Sequence, residues 1–128
     1  MAIRVVRLGT RRSAGEGPRL GTVRRPPRGV PKARFARDDW YDLWLPDLAP
    51  SEPLVKQALR ASNEGEWRAF AKKYRKEMAA PEKTRLLELL ATLSRTSNFS
   101  VGCYCEDEAR CHRAVLRTLL RARGAELA

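Results

Sequence analysis

The sequence predicts an α/β fold: a single small domain with a short, mostly parallel sheet flanked by helices. Three observations carry this. The 128 residues suit one domain, and a hydrophobic content of 43% is enough to fill one core. Short strand-like runs lie towards both ends, at "IRVVRL" (3–8) and "NFSVGCYC" (98–105). Between them the apolar residues recur at helical spacing, and strands separated by helices pair in parallel.

"IRVVRL" is rich in β-branched residues and reads as the first strand. Residues 9–31 hold five glycines and four prolines, so they read as one long loop, with at most a short extended piece at "GTVRR" (21–25). "WYDLWLP" (40–46) alternates and ends in proline, which suits a second strand. In "LAPSEPLVKQAL", Ser51 is placed to cap a helix with Glu52 and Pro53 in its first turn, and Leu54, Ala58 and Leu59 form its stripe. Trp67, Phe70, Ala71, Tyr74 and Met78 mark a second, amphipathic helix, and Leu86, Leu89, Leu90 and Leu93 a third that starts at Pro81. After the buried-type strand at 98–105, "EDEARCHRAVLRTLLRARG" closes the chain as a helix. Its stripe is His112, Val115, Leu116, Leu119 and Leu120, with Arg113, Arg117 and Arg121 on the flank, Gly124 at the cap and 124–128 as a short tail. The aromatics Trp40, Tyr41 and Trp44 can stack on bases but read first as core.

Charge sets the partner classes. Lys and Arg number 26 against 15 acids, a net of +11. Residues 1–39 hold eleven of these cations against three acids, so the excess is mostly N-terminal. Such a field attracts an anionic small molecule or nucleic acid, although an Arg-rich composition of the kind a high-GC bacterial genome produces has the same effect. No run of about 18 apolar residues is present, and the N-terminal apolar stretch is too short for a signal peptide. A cytoplasmic protein with no membrane contact is expected; its oligomeric state is not readable.

All three cysteines and the single histidine lie within residues 100–116. Period two places Cys103 and Cys105 on one strand face, and Cys111 and His112 follow at a helix start. In an α/β sheet that position, beyond a strand's carboxyl end, is where ligands bind. Three readings stay open. Cys-x-Cys-x5-Cys-His offers zinc four N/S ligands, at an unusual spacing that bends adjacent residues around one ion. A helix N-terminus can instead activate Cys111, with His112 as acid or base and Arg113 as anion clamp, opposed by the nearby Glu106, Asp107 and Glu108. Or the cysteines are small buried hydrophobes and His112 a hydrogen-bonded core residue.

The segments "RRPPRGVPK", "DDWYDLWLPDLAPS", "WRAFAKKYRKEM" and "NFSVGCYCEDEARCHRAVL" together resemble the domain of unknown function 488 family, in a Cys-His-Arg branch, with a YeaO-like branch of similar size. The resemblance spans about residues 3–123 and implies a compact α/β fold without an assigned reaction. Within it Cys103 matches the strand-end cysteine, while Cys105 stands where glutamate is common, which argues against an essential Cys105. The YeaO-like helix start, Asn-His-Ala, leaves His112 as the shared element and counts against obligate zinc. Arg24, Pro27, Arg28 and Gly29 match that branch's loop, but Pro26 replaces its tryptophan.

The resulting expectation is a ligand-handling or catalytic domain for a phosphorylated or nucleotide-like anion. His112, Cys111 and Cys103 are the reactive candidates, and Arg113, Arg28 and Arg24 the anion-binding ones. No metal ligand and no cofactor are assigned, with zinc kept as a minor alternative. The competing expectation is a nucleic-acid-binding accessory protein that uses the basic N-terminal segment without catalysis, although no helix-turn-helix pattern stands out.

Overall fold

The computed structural model describes residues 2–128. Four strands form one all-parallel sheet in the order β1-β4-β2-β3, with β1 at Ile3–Arg7, β2 at Arg19–Gly21, β3 at Leu43–Trp44 and β4 at Phe99–Cys103. Three helices, α1 (Glu52–Arg60), α2 (Glu64–Met78) and α3 (Pro81–Leu93), connect β3 to β4, and α4 (His112–Ala122) follows β4. The fold is therefore α/β, and its sheet is parallel throughout. No helix is long and apolar enough to cross a membrane, among the described residues.

The two sheet faces are covered differently. Phe99 and Val101 of β4 pack with Ile3 of β1 against Phe70, Tyr74, Leu87, Leu116 and Leu120, so the helices form the main core on one side. The other side is covered by chain without regular structure. Leu8 lies over Gly102, and the Tyr41 ring lies so close to Gly21 that a side chain there would overlap it. Leu8, Val23, Tyr41, Cys103 and Cys111 make a smaller second cluster at the carboxyl ends of the strands.

Several elements differ from the sequence expectation. The Gly/Pro-rich stretch is not one loop, because Arg19–Gly21 enters the sheet as β2 between β4 and β3. Its pattern is weak since its pairing is supplied by the neighbours, Leu20 opposite Val101 on one side and Leu43 on the other. The expected strand over 40–46 contracts to Leu43–Trp44 and runs into a 3-10 turn at Pro46–Leu48. In α3, Leu87, Leu90 and Ala91 are buried while Leu89 and Leu93 are exposed, so the helix is rotated by about one position from the expected stripe. In α1, Leu54 is buried but Leu59 is 80% exposed. The last helix starts at His112, and a 3-10 turn at Glu108–Arg110 precedes it. The expected tail is bound: Ile3 N–H donates to the Glu126 carbonyl at 2.8 Å and Ala128 N–H to the Ile3 carbonyl at 2.9 Å, covering the free edge of β1. Gly124 takes the left-handed conformation expected of a cap (φ 82°).

The long β1–β2 crossover is held by one buried ion pair. The Arg19 guanidinium donates to Glu16 through Nε (2.6 Å) and Nη2 (3.3 Å), and to the carbonyls of Thr10 (2.7 Å), Asp39 (2.7 Å) and Arg11 (3.3 Å). A buried charge is tolerable when it is paired and its remaining donors are satisfied, and this one is. Gly17 belongs to the same device. Its φ of 81° and its approach to the Asn98 backbone leave no room for a side chain.

Candidate functional site

The carboxyl ends of β1, β4 and β2 carry Leu8, Tyr104 and Thr22 past the sheet edge. Leu8 N–H donates to the Cys103 carbonyl (2.8 Å), and Thr22 donates to the Gly102 carbonyl through N–H (3.1 Å) and Oγ1 (2.9 Å). This fixes the Thr22 carbonyl over the start of α4, where it lies 2.6 Å from His112 Nε2. A carbonyl only accepts, so Nε2 carries a proton and Nδ1 is turned the other way. Nδ1 is 3.8 Å from Cys111 Sγ. The Tyr74 ring packs edge-on against the imidazole, with centroids 5.6 Å apart, and its hydroxyl donates to the Leu48 carbonyl at 2.6 Å.

Adjacent Cys111 and His112 converge because they straddle a boundary. Cys111 is the extended N-cap of α4 (φ −127°, ψ 150°) and His112 is its first helical residue. On the strand side, period two brings Cys103 Sγ and Cys105 Sγ to 3.7 Å. One ligand atom from each of Cys103, Cys111 and His112 lies within 4.8 Å of the others. Cys103 and Cys111 are buried and Cys105 is exposed.

The thiols share their protons unequally. The neighbouring Cys103 thiol, then that of Cys111, with Arg113 nearby, lowers Cys105. Cys103 is pushed well up, first by its contact with Cys105, then by Cys111 and by burial. Cys111 is lowered, first by the Cys103 thiol and also by His112. The acidic run is mostly engaged elsewhere, although Glu108 still repels a charged Cys111. Glu106 is 3.6 Å from Arg7, Asp107 accepts from Ala109 N–H, and Glu108 is held by Arg117 at 2.8 and 3.0 Å.

The four N/S side chains line one end of a cleft of about 370 Å³, whose other walls include Val23, Val55, Ala58, Leu59 and Phe70. Arg25 and Arg110 stand on its rim, paired with Glu52 and Glu64. A second cleft of about 530 Å³ opens beside it, lined by Arg7, Arg25, Arg28, Thr10 and Trp40. Arg25 and Tyr104 belong to both. Tyr104 donates to the Arg25 carbonyl (2.8 Å) and Trp44 Nε1 to the Val23 carbonyl (2.8 Å), which fixes this shared wall.

The structure thus brings together Cys103, Cys111 and His112. It separates the three arginine candidates. Arg28 is exposed in the second cleft. Arg24 lines the first cleft, but its guanidinium is engaged by the carbonyls of Pro50 (2.9 Å), Pro46 (3.1 Å) and Ala49 (3.1 Å) and fixes the entry to α1. Arg113 is not on a solvated flank: it is 3% exposed, donates to the Cys105 carbonyl at 2.6 Å, and its Nε has no partner. Sequence reasoning missed Cys105, Arg25 and Tyr104. The strand period places Cys105 beside Cys103, although the resembled family commonly has glutamate at that position. Trp40 supplies to the Arg28 cleft the aromatic that Pro26 does not.

A family model described as the active DUF488-N3 subclade matches residues 3–124. No curated protein and no solved structure matches the chain significantly.

Proposed function

The chain belongs to the DUF488 family, and from that premise we propose that it is a small ligand-handling or catalytic domain whose two joined clefts take a nucleotide-like anion. The anionic group lies among Arg7, Arg25 and Arg28 beside Trp40, and the flat apolar part enters the cleft that ends at Cys103, Cys105, Cys111 and His112. The observation that carries this reading is the shared wall: one ligand can touch guanidinium groups and sulfur atoms only because Arg25 and Tyr104 border both clefts. The exposed Arg25–Glu52 pair is weak enough to exchange Glu52 for a phosphate. The subclade's description as active accords with a reactive end at the thiols.

Less supports a nucleic-acid accessory role. Of the eleven cations in residues 1–39, Arg12, Arg19 and Arg24 are engaged by partly or fully buried contacts within the protein, which withdraws them from a phosphate-tracking surface.

Titration of tryptophan fluorescence with adenosine monophosphate, adenosine and inorganic phosphate tests the proposal. The nucleotide should bind more tightly than either part, and Arg28→Ala should weaken it about five- to tenfold, the loss of one charge-assisted contact. Equal binding of the three probes, or an unchanged affinity in Arg28→Ala, overturns it.

A further inference from the structure

The thiol and imidazole cluster has the dimensions of a metal site. In a tetrahedral zinc centre with Zn–S near 2.3 Å and Zn–N near 2.05 Å, two sulfurs stand about 3.8 Å apart and a sulfur and nitrogen about 3.6 Å apart. Cys103 and Cys105 are 3.7 Å apart at sulfur, and Cys111 Sγ is 3.8 Å from His112 Nδ1. Cys103, Cys111 and His112 form a compact face, all within 4.8 Å; Cys105 Sγ touches Cys103 but stands outside that group and has to turn inward to ligate.

Two further observations point to a cation there. The first is the orientation of the imidazole. Its Nε2 is held by the Thr22 carbonyl at 2.6 Å, the outer contact that fixes the tautomer of a ligating histidine and aims its free lone pair at the ion. The second is the charge of Arg113. This guanidinium is 3% exposed, has no carboxylate within ion-pair distance among the described residues, leaves Nε unpartnered, and is anchored on the Cys105 carbonyl. A divalent ion with three thiolates and a neutral imidazole carries a net charge of −1, so the buried cation beside it is the matching counter-charge.

We propose that Cys103, Cys111 and His112 bind a zinc-like divalent ion, with Cys105 as the fourth ligand on the cleft side. The preference for zinc comes from the N/S donor set and the tetrahedral edges. The exposed Cys105 closes the site, and its displacement would open a coordination position into the cleft. The proposal does not need the nucleotide reading, since it rests on the ligands and Arg113 alone.

The test uses the full chain, reduced and freed of metal. Zinc is titrated in competition with a chromophoric chelator, and cobalt(II) is followed by absorbance. One equivalent of each ion should bind, and cobalt should give an intense thiolate-to-metal charge-transfer band with the visible envelope of a tetrahedral site. Cys111→Ser should lose the band and weaken zinc at least about 100-fold. Because Cys111 is buried, circular dichroism accompanies that variant, and the exposed Cys105→Ser provides the second one: it should stay folded, lower the band and weaken zinc about 10- to 100-fold. Absence of a charge-transfer band in the reduced wild type overturns the site, and so does zinc affinity unchanged in Cys105→Ser and in folded Cys111→Ser. Nucleotide binding is read separately by fluorescence, so either proposal can fail while the other stands.

Discussion

Arg19 and Arg113 are both buried, 1% and 3% exposed, and the protein treats them in opposite ways. Arg19 meets a bidentate carboxylate and three carbonyls, and every arm of its guanidinium has an acceptor. Arg113 makes one hydrogen bond, leaves Nε without a partner and has no ion-paired carboxylate, and its charge acts on both Cys105 and Glu108. The first arrangement is closed and holds chain together. The second has no ion-paired carboxylate; Glu108, held by Arg117, reaches it only at longer range, and the thiol cluster is the group placed to complete it. The contrast teaches that burial of a cation is not itself a mark of structure or of function; what completes its shell decides.

The largest effect follows from opening the closed pair. Glu16→Gln strips Arg19 of its counter-charge in a dry site and should lower the unfolding free energy by about 3–5 kcal/mol. Urea denaturation checks it, and a loss under about 1 kcal/mol would mean that the pair is not the closure described. Acid should probe the same pair more gently. Burial pushes the Glu16 carboxyl up, but the Arg19 guanidinium and the Ser13 N–H outweigh it and hold the group at about 2, against an ordinary value of 4.5. A depressed carboxyl contributes its stability above the unfolded value, and that stability is lost as the unfolded chain takes up the proton first. About 3 kcal/mol should therefore disappear as pH falls from about 4.5 to about 2. Denaturation curves across that range, compared with Glu16→Gln, should show the slope in the wild type and little of it in the variant. The smallest effect on the fold belongs to the exposed Arg28: Arg28→Ala should leave stability within about 0.5 kcal/mol while weakening nucleotide binding.

The same contrast explains what the sequence made legible. Aromatic spacing located α2, since Trp67, Phe70, Tyr74 and Met78 are buried as their period requires. The strand-end position of the cysteines and the helix start at His112 were also readable, because alternation and the apolar run are local signals. Local signals fail where a neighbour decides. Arg19–Gly21 is a strand because β3 and β4 hold it there. Leucines at 86, 87, 89, 90 and 93 offer α3 two adjacent stripes, and packing chose the one with Leu87 and Ala91. Arg113 shares four-residue spacing with Arg117 and Arg121 but sits in the first turn of α4, packed beside the strand end, where a flank position is covered. Arg24 shows another side of this: an arginine of the basic loop that lines the first cleft while three carbonyls hold its guanidinium, a pairing no local signal announces.

The central claim is that Arg113 serves the thiol cluster while Arg19 serves the fold. Arg19→Met and Arg113→Met, measured side by side for urea stability and for zinc affinity of the folded protein, test it most directly. The account predicts that Arg19→Met loses about 3 kcal/mol or more with its zinc affinity unchanged. Arg113→Met should stay within about 1 kcal/mol of wild type and bind zinc about 10- to 100-fold more weakly. Two variants that are equally unstable, with zinc affinity intact in Arg113→Met, would contradict it.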